Sequence, residues 1–215
     1  KFINSILTKK NMSEWCTIES DPAVFTELIK GIGVKNVAVE EVYSLDDEEY
    51  IKSLSPIHGL IFLFKWTKEP HKRECLKYYD NDLFFVNQVI INACATQAII
   101  SVLLNCPQID IGPELTNFKT FTYEMDPQTR GLALGESELI RSVHNSFAKP
   151  EPFVISHDKK SKKEGEAFHF ISYVPFKGKV YELDGLQEGP ILIGDCTEDN
   201  WINVAKEEIN QRIQR

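Results

Sequence analysis

Residues 94–105 run Cys-Ala-Thr-Gln-Ala-Ile-Ile-Ser-Val-Leu-Leu-Asn. At helical spacing this stretch is apolar on nearly every face, so it predicts a core helix rather than a surface one. Such a helix has to be surrounded. With 215 residues and 42% apolar side chains, the chain has material for one sizeable core, and its length favours one domain over two. Its longest apolar runs, Gly59–Phe64 and Ala98–Leu104, fall far below the roughly 20 residues that cross a bilayer.

The elements around that helix are read from capping and periodicity. Asp21-Pro22 opens a helix, with a capping carboxylate followed by proline at the first helical position. Val24, Phe25, Leu28 and Ile29 continue it, and Gly31 and Gly33 end it. Val37–Tyr43 alternates as a strand does, and Asp46–Glu49 reads as an acidic turn. Gly59–Trp66 is continuously apolar, as in a central strand buried on both faces. The charged stretch 67–81 reads as an exposed loop. Glu114–Met125 and Ser137–Ala148 carry helical patterns. Lys149–Glu166, with two prolines and a Lys-Lys-Ser-Lys-Lys run, reads as a long mobile loop, a type that often carries function. Strands follow at Ala167–Phe176, Lys179–Leu186 and near Ile191–Ile193, then an amphipathic helix from Thr197. Helices preceding a cluster of strands place the chain in the α+β or mixed α/β class, with an antiparallel sheet sandwiched by helices.

Charge and cysteine usage exclude several functions. The net charge of -8 argues against a nucleic-acid footprint. Five cysteines, at 16, 75, 94, 106 and 196, form no C-x-x-C pair, which argues against a disulfide framework or a thiolate zinc site. No cofactor, metal or membrane partner is expected. Free thiols fit a reducing compartment, so cytoplasm and nucleus are the expected locations. Residues 1–11 lack the apolar stretch of a signal peptide and are read as leader or vector sequence, leaving 12–215 as a single domain.

Cys94 differs from the other four cysteines by its place immediately before the core helix. Unpaired N–H groups at a helix N terminus favour a thiolate and can hold an oxyanion. Gln88, six residues upstream, offers a side-chain amide to the same oxyanion, and small Ala93 and Ala95 leave room for a substrate backbone. Free cysteine is also among the most buried residue types, so position alone leaves a structural role for Cys94 open.

A base for that thiol comes from the two strands flanking Lys177-Gly178. If those residues form a two-residue hairpin turn, facing positions sum to 355, so Phe176 faces Lys179 and Ile171 faces Asp184. His169 and Asp184 then share a face as diagonal neighbours, within reach of an imidazole-to-carboxylate hydrogen bond. Such a carboxylate orients the ring and stabilises the imidazolium. His58, His71 and His157 sit in turns or polar loops, and His144 on a helix that places it at the surface or in the core. There is no G-x-S-x-G, phosphate loop, G-x-G-x-x-G or H-E-x-x-H.

Gln88-Val-Ile-Ile-Asn-Ala-Cys-Ala-Thr96, Ala167-Phe-His-Phe-Ile171 and Tyr181-Glu-Leu-Asp-Gly185 resemble the active-site segments of the ubiquitin C-terminal hydrolases. The resemblance runs from about Trp15 to the last helix. It is strongest toward the family's proteasome-associated branch, through Glu14–Pro22, His58–Trp66 and Val143–Phe147. It implies an α+β, papain-like architecture with a central antiparallel sheet, a knotted backbone and a crossover loop at about Lys149–Glu166. It implies a deubiquitinating thiol hydrolase with Cys94 as nucleophile, His169 as general base and acid, Asp184 orienting the ring and Gln88 stabilising the oxyanion. Ala167 and Phe168, which adjoin the histidine, are the expected substrate-binding positions. Ubiquitin is the implied partner. A proteasomal ubiquitin receptor is expected only through a C-terminal extension beyond residue 215. A general papain-like peptidase and a ubiquitin-binding scaffold with a gated triad remain the rival expectations.

Overall fold

The computed structural model describes residues 14–66, 73–148 and 168–214. Along the chain lie α1 (Pro22–Ile32), α2 (Glu48–Ser53), β1 (Leu60–Lys65), a 3-10 turn (Ile91–Ala93), α3 (Cys94–Leu104), α4 (Gly112–Phe121), α5 (Pro127–Glu136) and α6 (Glu138–Ser146). Then come β2 (Phe168–Phe176), β3 (Lys179–Leu183), β4 (Ile191–Asp195) and α7 (Trp201–Ile213). Among the described residues the strands form one antiparallel sheet in the order β1-β2-β3-β4. This is the expected α+β class. The expected leader 1–11, the loop at 149–166 and Ala167 lie outside the described residues, as do parts of the path on which a backbone knot depends.

Every residue of α3 after Cys94 is buried, as all-round apolarity demands. The helix packs on β2, with Leu28, Ile99, Ile100, Leu104, Val174 and Leu183 in one continuous core. On the other side of the sheet, α7 presses Trp201, Ala205 and Ile209 onto Leu60, Ile171, Tyr173 and Val180. Each of the larger aliphatic side chains contributes about 1.5–3 kcal/mol when removed from water. Between α7 and the sheet, fully buried Glu182 receives Arg73, Arg212 (2.7 Å) and the Tyr173 hydroxyl (2.9 Å). Arg73 also pairs with Glu208 of α7 at 2.7 Å. An ionised carboxylate at that depth requires such partners.

Several local expectations are corrected. Gly59–Trp66 gives β1, which among the described residues is an edge strand rather than a central one. Its apolar run reflects partial cover on both faces: Ile61 packs against the larger core, and Phe62 and Phe64 against the smaller one that includes α7, while Leu63 stays exposed. Hydropathy records faces and not edges. Val37–Tyr43 forms no strand, and the Val39 N–H donates to Thr26 Oγ1 on α1. The acidic turn is the start of α2, with Asp47 accepting from the Tyr50 N–H and Glu48 and Glu49 at the positive end of the helix dipole. Gly31 belongs to α1, which closes at Gly33. In the stretch 67–81, Arg73 is not solvated but inserted into the ion cluster. The unanticipated α5 starts at Asp126-Pro127, the same capping signal as Asp21-Pro22.

Candidate active site

The hairpin turn has the expected length. Lys177 and Gly178 both take positive φ, 45° and 77°, the backbone of a two-residue turn whose twist matches the strands. Phe176 pairs with Lys179 and Ser172 with Leu183, so facing positions do sum to 355. Extending that register one step past the paired residues sets Asp184 opposite Ile171, with His169 as its diagonal neighbour.

His169 Nε2 lies 2.6 Å from Asp184 Oδ1, and both side chains are almost fully buried. The carboxylate is held from two further directions. Oδ1 accepts the Leu186 N–H at 3.0 Å, and Oδ2 accepts from Gln187 Nε2 at 3.3 Å. A carboxylate only accepts, so Nε2 carries the proton and Nδ1 is left for a second partner. Cys94 is the other group close enough to the ring to raise its basicity. Burial disfavours the imidazolium, but the Asp184 hydrogen bond and the neighbouring Cys94 outweigh it and raise His169 from 6.5 to about 9. Burial likewise favours the neutral acid at Asp184, yet its bonds to His169, Leu186 and Gln187 hold it below the ordinary carboxylate value. Phe64 of β1 meets the imidazole edge-on at 5.7 Å and limits its movement.

Cys94 is half-buried at the first position of α3, and no side chain caps that helix. The N–H groups of its first turn therefore keep their capacity to bind an anion. The preceding 3-10 turn carries Ile91, 87% exposed, and Phe168, beside His169, is 57% exposed. Gly185 joins the two halves of the site. A Cβ there would sit 2.1 Å from Gln97 Nε2 of α3 and 3.0 Å from the Gln88 backbone nitrogen, so only glycine lets the Asp184 segment approach so closely. Its carbonyl accepts the Gln88 N–H at 2.8 Å.

Gln88 is thus tied by its backbone to the Asp184 segment. Its side-chain amide nitrogen donates to the carbonyls of Ile90 (3.1 Å) and Ile91 (3.3 Å), in the chain just before Cys94. The structure brings together Cys94, His169 and Asp184, with Gln88 bound alongside; Phe168 adjoins them. Asn87 and Gln187 were missed. Asn87 Nδ2 donates to the Gln187 carbonyl at 2.7 Å, and Gln187 steadies Asp184. Polar residues beside a glycine carry no sequence signal for such a role. No group of three or more His, Cys, Asp or Glu side chains able to hold a metal is found among the described residues. A thiol, a proton-carrying imidazole fixed by a carboxylate, and a helix N terminus that no side chain caps together equip the site for acyl transfer.

Residues 15–214 match the family described as ubiquitin carboxyl-terminal hydrolase, family 1. The chain is 57% identical over 202 residues to ubiquitin carboxyl-terminal hydrolase isozyme L5 of Dictyostelium discoideum, a match covering 94% of this chain and 57% of that protein. It is 46% identical to ubiquitin carboxyl-terminal hydrolase 2 of Schizosaccharomyces pombe, over 93% of this chain and 67% of that one. It therefore spans little more than half of the Dictyostelium relative. Among solved structures, the Trichinella spiralis UCH37 catalytic domain bound to ubiquitin vinyl methyl ester superposes with a TM-score of 0.80 at 45% identity, covering 95% of this chain and 91% of that one.

Proposed function

The chain belongs to family 1 of the ubiquitin carboxyl-terminal hydrolases, and we propose that it is a cysteine-type deubiquitinase that cleaves the amide or isopeptide bond after the C-terminal glycine of ubiquitin. The observation that carries this reading is the buried His169–Asp184 pair set against Cys94 at an uncapped helix N terminus. The Trichinella relative, solved with a ubiquitin-derived ester, supports ubiquitin as the partner.

In the proposed reaction His169 Nδ1 takes the proton of the Cys94 thiol. The sulfur attacks the glycine carbonyl carbon, and the charge moves to its oxygen, held by N–H groups at the α3 N terminus. Gln88 joins that hole when one of its bonds to the Ile90 and Ile91 carbonyls is exchanged for the substrate oxygen. Collapse breaks the C–N bond, and His169 returns its proton to the leaving amine. A water, deprotonated by His169, then attacks the thioester, releasing the ubiquitin carboxylate and restoring the thiol. Asp184 keeps its charge throughout and stabilises the imidazolium. Phe168, beside His169, supplies a substrate-binding position, and Ala167, its neighbour in sequence, is proposed as another.

Proteasome association through a segment beyond the catalytic domain belongs to the same proposal, supported by the similarity to the isozyme L5 protein. Action in cytoplasm and nucleus is supported by five cysteines that all remain free thiols. The test is hydrolysis of a ubiquitin C-terminal fluorogenic amide. Turnover by the wild type, its loss in Cys94→Ala and no cleavage of short glycine-ended peptides are expected. A wild type that binds ubiquitin without turnover, or a Cys94→Ala protein that still turns over, contradicts the assignment.

A further inference from the structure

No side chain caps α3, and the residues around its start make hydrogen bonds sideways. Two of them bracket the nucleophile. Two residues before Cys94, Asn92 Nδ2 donates to the Trp15 carbonyl at 2.9 Å. Two residues after it, Thr96 Oγ1 lies 2.7 Å from His144 Nδ1, and His144 Nε2 lies 2.7 Å from the Cys16 carbonyl. Both tethers therefore end on the same segment, Trp15-Cys16. Asn145 holds that segment in turn, accepting the Cys16 N–H and donating to the Glu14 carbonyl, each at 2.9 Å.

The direction of each bond follows from the acceptors. A carbonyl only accepts, so His144 Nε2 carries the proton, and in a neutral ring Nδ1 is then the acceptor for the Thr96 hydroxyl. A helical threonine ordinarily turns its hydroxyl back to the carbonyl four residues earlier. Here it is spent on a different helix. His144 on α6 is fully buried, its ring centroid 4.8 Å from that of Trp15. Burial also holds it below its ordinary value, which keeps the acceptor nitrogen free of a proton. A residue that only filled space needs neither bond.

We propose that His144 is a positioning residue for the thiol: as a neutral imidazole it ties the first turn of α3, through Thr96, to the Trp15-Cys16 segment and so keeps Cys94 in reach of His169. The proposal rests on Cys94 being the nucleophile. Thr96→Val keeps the side-chain shape and removes the donor, whereas Thr96→Ser keeps the donor. Two rates are read: turnover of the ubiquitin fluorogenic amide, and alkylation of Cys94 by iodoacetamide, located by peptide mass in the absence of ubiquitin. Thr96→Val is expected to lower kcat and Cys94 alkylation about tenfold, the scale of one net hydrogen bond, with KM unchanged, and Thr96→Ser to restore both. His144→Asn, whose amide oxygen takes the place of Nδ1, is expected to retain more of both rates than His144→Leu. If either histidine variant fails to fold, the threonine pair decides. A Thr96→Val protein equal to wild type in both rates, or a Thr96→Ser protein as impaired as Thr96→Val, overturns the tether. A wild type with no turnover sinks the hydrolase reading instead, and the alkylation rates still judge the tether.

Discussion

Replacing Asp184 by asparagine removes a charge while sparing the geometry. The retained oxygen can keep the place of Oδ1, between His169 Nε2 at 2.6 Å and the Leu186 N–H at 3.0 Å. The new amide nitrogen faces Gln187 Nε2, now 3.3 Å from Oδ2, and that side chain has to rotate, giving up its 3.8 Å contact with Cys75 Sγ. What is lost is the support of the imidazolium. Raising His169 from 6.5 to about 9 corresponds to on the order of 3 kcal/mol in favour of the charged ring. Asp184 is the larger of the two influences that raise it, so its loss should remove much of that support, on the order of 10- to 100-fold in rate. We expect kcat/KM for the ubiquitin fluorogenic amide to fall by about that factor, with KM little changed. The alkaline limb of the kcat/KM profile, near the His169 value of about 9 in the wild type, should move toward 6.5. An Asp184→Asn protein with the wild-type limb and a rate within about twofold of wild type would refute the reasoning.

Four further outcomes follow from other contacts in the structure. His169 is raised in the folded state, so its contribution to stability is fully present below 6.5 and is lost as pH rises through about 9; urea unfolding across that window should show a steeper decline for wild type than for His169→Gln, and parallel declines would refute it. Glu182→Gln strips the charge from a fully buried carboxylate that faces Arg73 and Arg212, and should cost about 3–5 kcal/mol in urea titration; a loss under about 1 kcal/mol would show that the cluster is not what holds α7 to the sheet. Gly178→Ala, at φ 77° with no atom nearer than 3.8 Å, should cost about 1–2 kcal/mol and leave activity intact. By contrast, Gly185→Ala, driven into Gln97, should abolish turnover in protein that still folds.

Much of the site was legible because it depends on local chemistry with few alternatives. A two-residue turn at Lys177-Gly178 sets the parity of both strands, and that parity puts His169 and Asp184 on one face whatever the rest of the chain does. An apolar circumference likewise makes α3 central before its neighbours are known. What stayed hidden depends on contacts across long sequence separations. The edge position of β1 could not be read, because an edge strand partly covered on both faces has the hydropathy of a central one. Val37–Tyr43 alternates, but alternation does not supply a partner strand. The burial of His144, the insertion of Arg73 beside Glu182 and the support of Asp184 by Gln187 each join residues whose pairing leaves no pattern in a single sequence. Asp126-Pro127 was a readable start signal for α5, passed over amid weak periodicity.

The proposed convergence of the Cys94 sulfur, the His169 ring and the Asp184 carboxylate on a ubiquitin substrate is tested most directly by ubiquitin carrying a C-terminal vinyl electrophile. We expect one covalent adduct per chain, mapped by peptide mass to Cys94, absent in Cys94→Ala and slowed in His169→Gln. A chain that stays unlabelled, or an adduct on Cys16, Cys75, Cys106 or Cys196, would contradict that convergence.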